Sequence, residues 1–194
     1  MTNYTVNTLE LGPFTTESGE TINNLKLRYE HVGYKGQPLV VVCHALTGNH
    51  LTYGTEDDPG WWREIIDGGY MPVNDYQFLT FNVIGSPFGS SSALIDEDFP
   101  KSVTLRDIVR AIEVGIEALG YNRIDILIGG SLGGMQTMEL LYNRKFEVNK
   151  AVILAATDKT SSYSRAFNEI SRQAIHLGGT DGLSIARQLG FLTY

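Results

Sequence analysis

Cysteine, histidine and positive charge are all scarce in this chain of 194 residues, which has one Cys, four His, and 15 Lys and Arg against 22 Asp and Glu. Cys43 has no second cysteine to pair with. A disulfide framework and a thiolate metal cluster are therefore excluded, and a reducing cytosol is the expected setting. Neither His31 nor His50 stands at metal-ligand spacing from a second histidine or an acid, so no metal is expected. The net charge of -7 and pI near 5.0 argue against a nucleic-acid partner, which needs clustered cations to displace counterions. No apolar run approaches the length of a membrane span, and Met1 to Leu11 lacks the basic and apolar regions of a secretory leader. The expectation is a cytoplasmic protein with no membrane partner.

What the chain does have is apolar material, 42% of residues, enough for one sizeable core. Three strand-like stretches open it: Val6 to Leu11, Leu25 to Val32 with Leu25, Leu27 and Tyr29 alternating, and the dense run Leu39 to Cys43. An unbroken run of that kind suits a central strand covered on both faces. A further strand is expected at Phe78 to Ile84. Thr104 to Leu119 predicts a helix, with Thr104 and Asp107 as a capping pair, Leu105, Ile108, Val109, Ile112, Ile116 and Leu119 on one face, and Gly120 ending it. A strand at Ile124 to Ile128, a helix from Leu132 to about Asn143 with Met135, Met138 and Leu141 inward, and a strand at Ala151 to Ala155 complete an alternating pattern. That alternation predicts an α/β protein with a mostly parallel sheet and helices on both faces. Beyond Thr157 the alternation stops. Ser164 to Leu177 and Asp181 to Phe191 read as two helices, the start of a helical cap, so the expected division is a core at 1–160 and a cap beginning at 161–194.

Gly129-Gly130-Ser131-Leu132-Gly133 fits Gly-x-Ser-x-Gly between the Ile124 to Ile128 strand and the following helix. In that context the serine sits on a strained strand-to-helix turn, with its hydroxyl lifted above the carboxyl edge of the sheet and the helix N-terminus beside the oxygen where negative charge develops. This is the nucleophile elbow of an α/β-hydrolase fold, with Ser131 as catalytic nucleophile. The competing reading is a glycine-rich turn that binds an anion through its backbone. Acyl transfer needs two N–H donors for the tetrahedral oxyanion, one from the residue after the nucleophile and one from the loop after the third strand. Those positions are Leu132 and Leu46. His44, at the start of the same loop, reads as a residue that fixes the loop, not as the catalytic base.

Several segments together resemble one family within that superfamily, the homoserine O-acetyltransferases. They are Cys43-His44-Ala45-Leu46-Thr47-Gly48-Asn49-His50, Gly60-Trp61-Trp62, Asn82-Val83-Ile84-Gly85, Gly89-Ser90-Ser91, Gly129 to Gln136, and the run Gly182 to Gln188 with Thr193-Tyr194. Two stretches depart from the family pattern. Ser86-Pro87-Phe88 stands where a glycine-cysteine pair is usual, and Ser90-Ser91-Ser92 where Ser-Thr-Gly-Pro is usual. The resemblance implies a ping-pong enzyme of methionine biosynthesis in which Ser131 takes an acetyl group from acetyl-CoA and passes it to the hydroxyl of L-homoserine. No permanently bound cofactor is implied, and a homodimer of the intact protein is compatible with it. The alternative within the same fold is an esterase or thioesterase.

In this fold the triad acid and histidine follow the serine. After Ser131 the only histidine is His176, inside an expected cap helix, and Asp158 and Asp181 are the local acids. None fits a triad position. The expectation is a truncated chain, inactive and poorly soluble alone, whose last strand leaves an open sheet edge.

Overall fold

A computed structural model describes residues 3–193 and divides the chain into two compact units, 1–156 and 157–194. The elements of the first run β1 (Tyr4–Glu10), β2 (Phe14–Thr15), β3 (Thr21–Ile22), β4 (Lys26–Val32), β5 (Leu39–Cys43), α1 (Arg63–Asp67), β6 (Gln77–Phe81), α2 (Leu105–Ala118), β7 (Arg123–Gly130), α3 (Leu132–Asn143) and β8 (Glu147–Leu154). Strands β1, β4, β6, β5, β7 and β8 lie in that order in one sheet, and β2 and β3 form a separate small hairpin. β1 and β4 pair antiparallel. From β6 through β5, β7 and β8 every pairing is parallel, as the α/β alternation predicts.

The two faces of the sheet hold separate apolar clusters. On one, Leu27, Val41, Leu79, Phe81 and Leu127 meet Val109, Ile112 and Ile116 of α2 and Leu140 of α3. On the other, Val32, Val40, Val42, Phe78 and Ile128 meet Ile66 of α1, with Trp62, Met71 and Val73 packed around them. All five residues of β5 are buried, as a strand covered on both faces requires. The cap of α2 is the one its sequence announces: Thr104 Oγ1 accepts the Asp107 N–H at 3.2 Å and Asp107 accepts the Thr104 N–H at 3.0 Å. Gly115 lets this helix approach the sheet, because a Cβ there would lie 2.7 Å from the Phe81 ring.

One expectation holds inside α3 only for Leu141, which packs against the core. Gly133, Gly134, Gln136, Thr137 and Leu140 are its buried residues, while Met135, Met138 and Leu141 are only partly covered. The helix is pressed onto the sheet through its glycines, and the contact line runs along the next row of side chains, where size matters more than hydrophobicity.

The second unit is α4 (Ser162–Leu192), which begins with Ser161 Oγ accepting the Ser164 N–H at 3.1 Å. Gly179, at φ 53° and ψ -122°, is not helical and divides α4 into two helical segments, the pair expected on either side of the Gly178-Gly179 step. Gly182 is buried where a Cβ would collide with the Ala174 carbonyl, so these segments touch backbone to backbone. Among the described residues no helix is long and apolar enough to cross a membrane.

Candidate active site

Ser131 is the N-cap of α3 and directly follows β7. Its backbone has φ 54° and ψ -120°, a conformation an L-residue adopts only when its surroundings impose it. Those surroundings are specific. The Ser131 N–H donates to the Leu154 carbonyl at the end of β8 (2.9 Å), and the Ser131 carbonyl accepts the Met135 N–H (3.1 Å) as α3 begins. The glycines of the pentapeptide divide by function. A Cβ on Gly129 would collide with the Gly133 carbonyl, and one on Gly133 with the Cys43 carbonyl at the end of β5. Gly130 has its nearest neighbour 3.8 Å from a built Cβ, so side chains are accommodated there. Gly134 extends the requirement, with the Ala156 Cβ at 2.5 Å. Close packing thus accounts for the pattern Gly-x-Ser-x-Gly and for the glycine that follows it.

The contact between Gly133 and Cys43 brings the loop after β5 against the first turn of α3. That loop is braced from three directions. His44, fully buried, accepts the Val83 N–H at Nε2 (3.2 Å), which leaves its proton on Nδ1, where it donates to the Ala45 carbonyl at 2.7 Å. The Gln136 amide, also fully buried, reaches the His44 carbonyl at 3.4 Å. Ala45 to Gly48 then close a tight turn through the Gly48 N–H and Ala45 carbonyl (2.9 Å), which leaves Leu46 at its tip, 77% exposed. The Leu46 N–H makes no hydrogen bond among the described residues. The Leu132 N–H, at the first position of α3, belongs to the turn that has no intrahelical acceptor. Two N–H groups without a hydrogen-bond partner among the described residues, one on a braced loop and one at a helix N-terminus, therefore follow the carboxyl ends of β5 and β7.

The α/β hydrolase fold family matches residues 38–177 of the chain, which takes in β5, the braced loop, the elbow and the start of α4. The chain belongs to the α/β-hydrolase family. This α/β-hydrolase is 35% identical over 223 residues to a homoserine O-acetyltransferase of Methanococcoides burtonii, matching all of this chain and 45% of that protein. It is 34% identical to the one from Geotalea uraniireducens, over 92% of this chain and 55% of that protein. Among solved structures, a homoserine O-acetyltransferase from Staphylococcus aureus superposes with a TM-score of 0.93 at 81% identity, covering 98% of this chain and 58% of that one. The chain spans about half the length of the curated relatives it matches.

Within this α/β-hydrolase, both histidines near the elbow are built to stay neutral. Burial pulls the His44 imidazole below its ordinary range, and its two ring nitrogens are already committed. His50, 7% exposed, is pulled down to about 4, first by burial and then by the Arg28 charge. Its Nδ1 is buried with no hydrogen-bond partner among the described residues. Cys43, beneath the elbow, has its thiol pushed up to about 12 by burial, so it packs as an apolar group and not as a nucleophile. His176 lies on α4, in the second unit, and Asp158 and Asp181 are exposed residues of that unit. No group of three or more His, Cys, Asp or Glu among the described residues is arranged to hold a metal ion.

The roles of two residues of this region are illegible in the sequence. Gln136 is one. The other is Glu30 of β4, 1% exposed, whose carboxylate accepts the N–H groups of Thr52, Tyr53 and Gly54, each at 2.8 Å. Burial pushes this carboxyl upward, while the three donors and the Tyr4 hydroxyl pull it back. The segment that Glu30 ties down leads to Asp58 and Trp61, which with Thr47 and Asn49 bound a cavity of about 350 Å³ beside the Leu46 turn. An acid that alternates with Lys26 and Arg28 along β4 reads as one more charge of a polar strand face and carries no local signal of this role. Three consecutive N–H groups converge on it only because a loop from elsewhere folds over the sheet.

Proposed function

We infer that the chain carries the acyl-accepting half of a serine O-acyltransferase, with Ser131 as nucleophile and the Leu46 and Leu132 N–H groups as oxyanion donors. The observation that carries this reading is the Ser131 backbone, held at φ 54° between two glycines that admit no side chain. Such strain persists only where packing enforces it, and it leaves the hydroxyl at a helix N-terminus free of any hydrogen bond among the described residues. Similarity to proteins named homoserine O-acetyltransferase supports acetyl-CoA as donor and the L-homoserine hydroxyl as acceptor, hence a place in methionine biosynthesis in the cytoplasm.

In the first step the Ser131 oxygen bonds to the thioester carbonyl carbon, its proton passes to a general base, and the negative charge that builds on the carbonyl oxygen falls between the two N–H donors. Collapse breaks the carbon–sulfur bond, and CoA leaves as the thiol with the proton returned. In the second step the acceptor hydroxyl attacks the acyl-serine, gives its proton to the same base, and the Ser131 hydroxyl is restored. His44 and His50 do not supply that base, because one has both nitrogens occupied and the other is buried and strongly depressed. The chain spans about half the length of the curated relatives it matches, and the base and its acid partner are not assigned among residues 3–193.

The test is mass spectrometry of the whole protein mixed with acetyl-CoA. Ser131→Ala is expected to abolish the acetyl adduct, and an adduct retained in the variant would remove Ser131 from the mechanism. Release of CoA at an unchanged rate with and without L-homoserine would favour hydrolysis over transfer.

A further inference from the structure

A second cavity, of about 240 Å³, lies at the opposite end of the parallel strands. Its wall includes Lys35, four residues before β5, and Tyr121, two residues before β7, whereas Ser131 follows the far end of β7. The eight residues of β7 separate the two regions by about 23 Å. Whatever binds here does not share the acyl site.

The cavity is lined without any carboxylate. Lys35 makes no ion pair among the described residues, and its ammonium stands 5.9 Å from the centre of the Tyr121 ring. His31 of β4, 9% exposed, is held in a single orientation. The Gln77 amide nitrogen donates to the Gln37 carbonyl (2.6 Å), so its oxygen is the acceptor for both the Tyr121 hydroxyl (2.7 Å) and the His31 Nε2–H (3.0 Å). That fixes the proton on Nε2 and leaves His31 Nδ1, in a nearly buried ring that lines the cavity, as an acceptor with no partner among the described residues. The negative end of α2, which also reaches the cavity at Leu119, is closed on itself. The Gly120 N–H donates to the Glu117 carbonyl (2.8 Å) and the Tyr121 N–H to the Ile116 carbonyl (3.2 Å). The helix terminus therefore presents few open carbonyls against an anion.

We propose that this cavity is a second binding site, for a small carboxylate with a hydroxyl or amino group on the adjacent carbon, its carboxylate paired with Lys35 and its donor turned to His31 Nδ1. Tyr29, Leu119 and the Tyr121 ring give an apolar body somewhere to lie. The site is independent of the acyl chemistry at Ser131, so its failure and the failure of that reading are separate results.

Four probes of one size take the ligand apart: mandelate carries all three features, phenylglycine replaces the hydroxyl by ammonium, phenylacetate lacks the neighbouring donor, and benzyl alcohol lacks the carboxylate. Each is titrated into the whole protein while the side-chain NMR signals of His31 and Lys35 are followed. Mandelate or phenylglycine is expected to saturate these signals, the tighter of the two naming the donor. Phenylacetate is expected to bind about tenfold more weakly and benzyl alcohol not at all, the loss of one well-placed hydrogen bond or charge being of that order. Lys35→Gln, which removes the charge from a side chain whose described contact is a ring, should weaken the best probe by about tenfold or more. Tyr121→Phe keeps the ring and reports on whether the His31 orientation matters. Absence of saturable shifts with both donor-bearing probes, equal binding of benzyl alcohol, or indifference to Lys35→Gln would each overturn the proposal.

Discussion

The two neighbours of β7 make opposite use of similar sequences. β5 (Leu-Val-Val-Val-Cys) and the end of β8 (Ala-Val-Ile-Leu) are both aliphatic, both parallel to β7, and both reach the elbow. Yet every residue of β5 is buried, while Val152, Ile153 and Leu154 are 37%, 40% and 44% exposed. β5 has a strand on each side, whereas β8 pairs only with β7 among the described residues. Hydrophobic pattern therefore reports that a segment is a strand, and position in the sheet decides what covers it. The consequence for the site is an asymmetry. On the β5 side the elbow is locked by backbone contact, Gly133 against Cys43, and by the braced loop that carries Leu46. On the β8 side it is tied by the hydrogen bond from the Ser131 N–H to the Leu154 carbonyl, by the pairing of Gly129 and Gly130 with Ile153 and Leu154, and by Gly134 against the Ala156 side chain.

That asymmetry is open to direct attack within the pentapeptide. Gly133→Ala drives a methyl into an immovable carbonyl on the β5 side and should cost about 3 kcal/mol or more, with loss of the acetyl adduct. Gly130→Ala, with open space and an ordinary backbone, should change stability by less than about 1 kcal/mol in either direction. Chemical denaturation of the two variants checks this, and equal destabilisation would mean that the close packing on β5 is not what holds the elbow.

The loop after β5 offers a second test, on catalysis instead of stability. Leu46→Pro removes the N–H and Leu46→Ala keeps it, so the proline variant alone should lose about 2.7 to 4 kcal/mol of transition-state stabilisation. Matching acylation rates for the two variants, both folded by circular dichroism, would remove the loop from the oxyanion site.

The smallest effect expected is in the acid limb of the stability profile. His50 is held neutral, with its folded value lowered to about 4 from an ordinary 6.5, so the unfolded chain binds the extra proton first. Its contribution is fully present above pH 6.5, declines as the pH falls, and stops declining near pH 4. Replacing His50 with Gln should flatten the thermal-melting profile between those limits. An unchanged slope would place the acid sensitivity elsewhere, with His44 the next candidate on the same loop.

Where chemistry is local, the sequence was sufficient. The bounds of β5, the Thr104 and Asp107 cap of α2, the glycine stop at Gly120, the helical break near Gly179 and the place of Ser131 between a strand and a helix all follow from neighbours a few residues apart. The structure bears out the α/β fold on those grounds, and His44 as a loop brace is consistent with its position at the start of the turn. Glu30, Gln136 and the buried row of α3 required the tertiary fold, because their partners are 22 to 92 residues away and only the packed sheet brings those groups together. Sequence alone places Ser131 at the apex of the turn between β7 and α3. The three-dimensional packing decides its backbone angles, the neutrality of the histidines beside it and which strand holds it in place, since each of these depends on burial and on contacts that no short window of sequence contains.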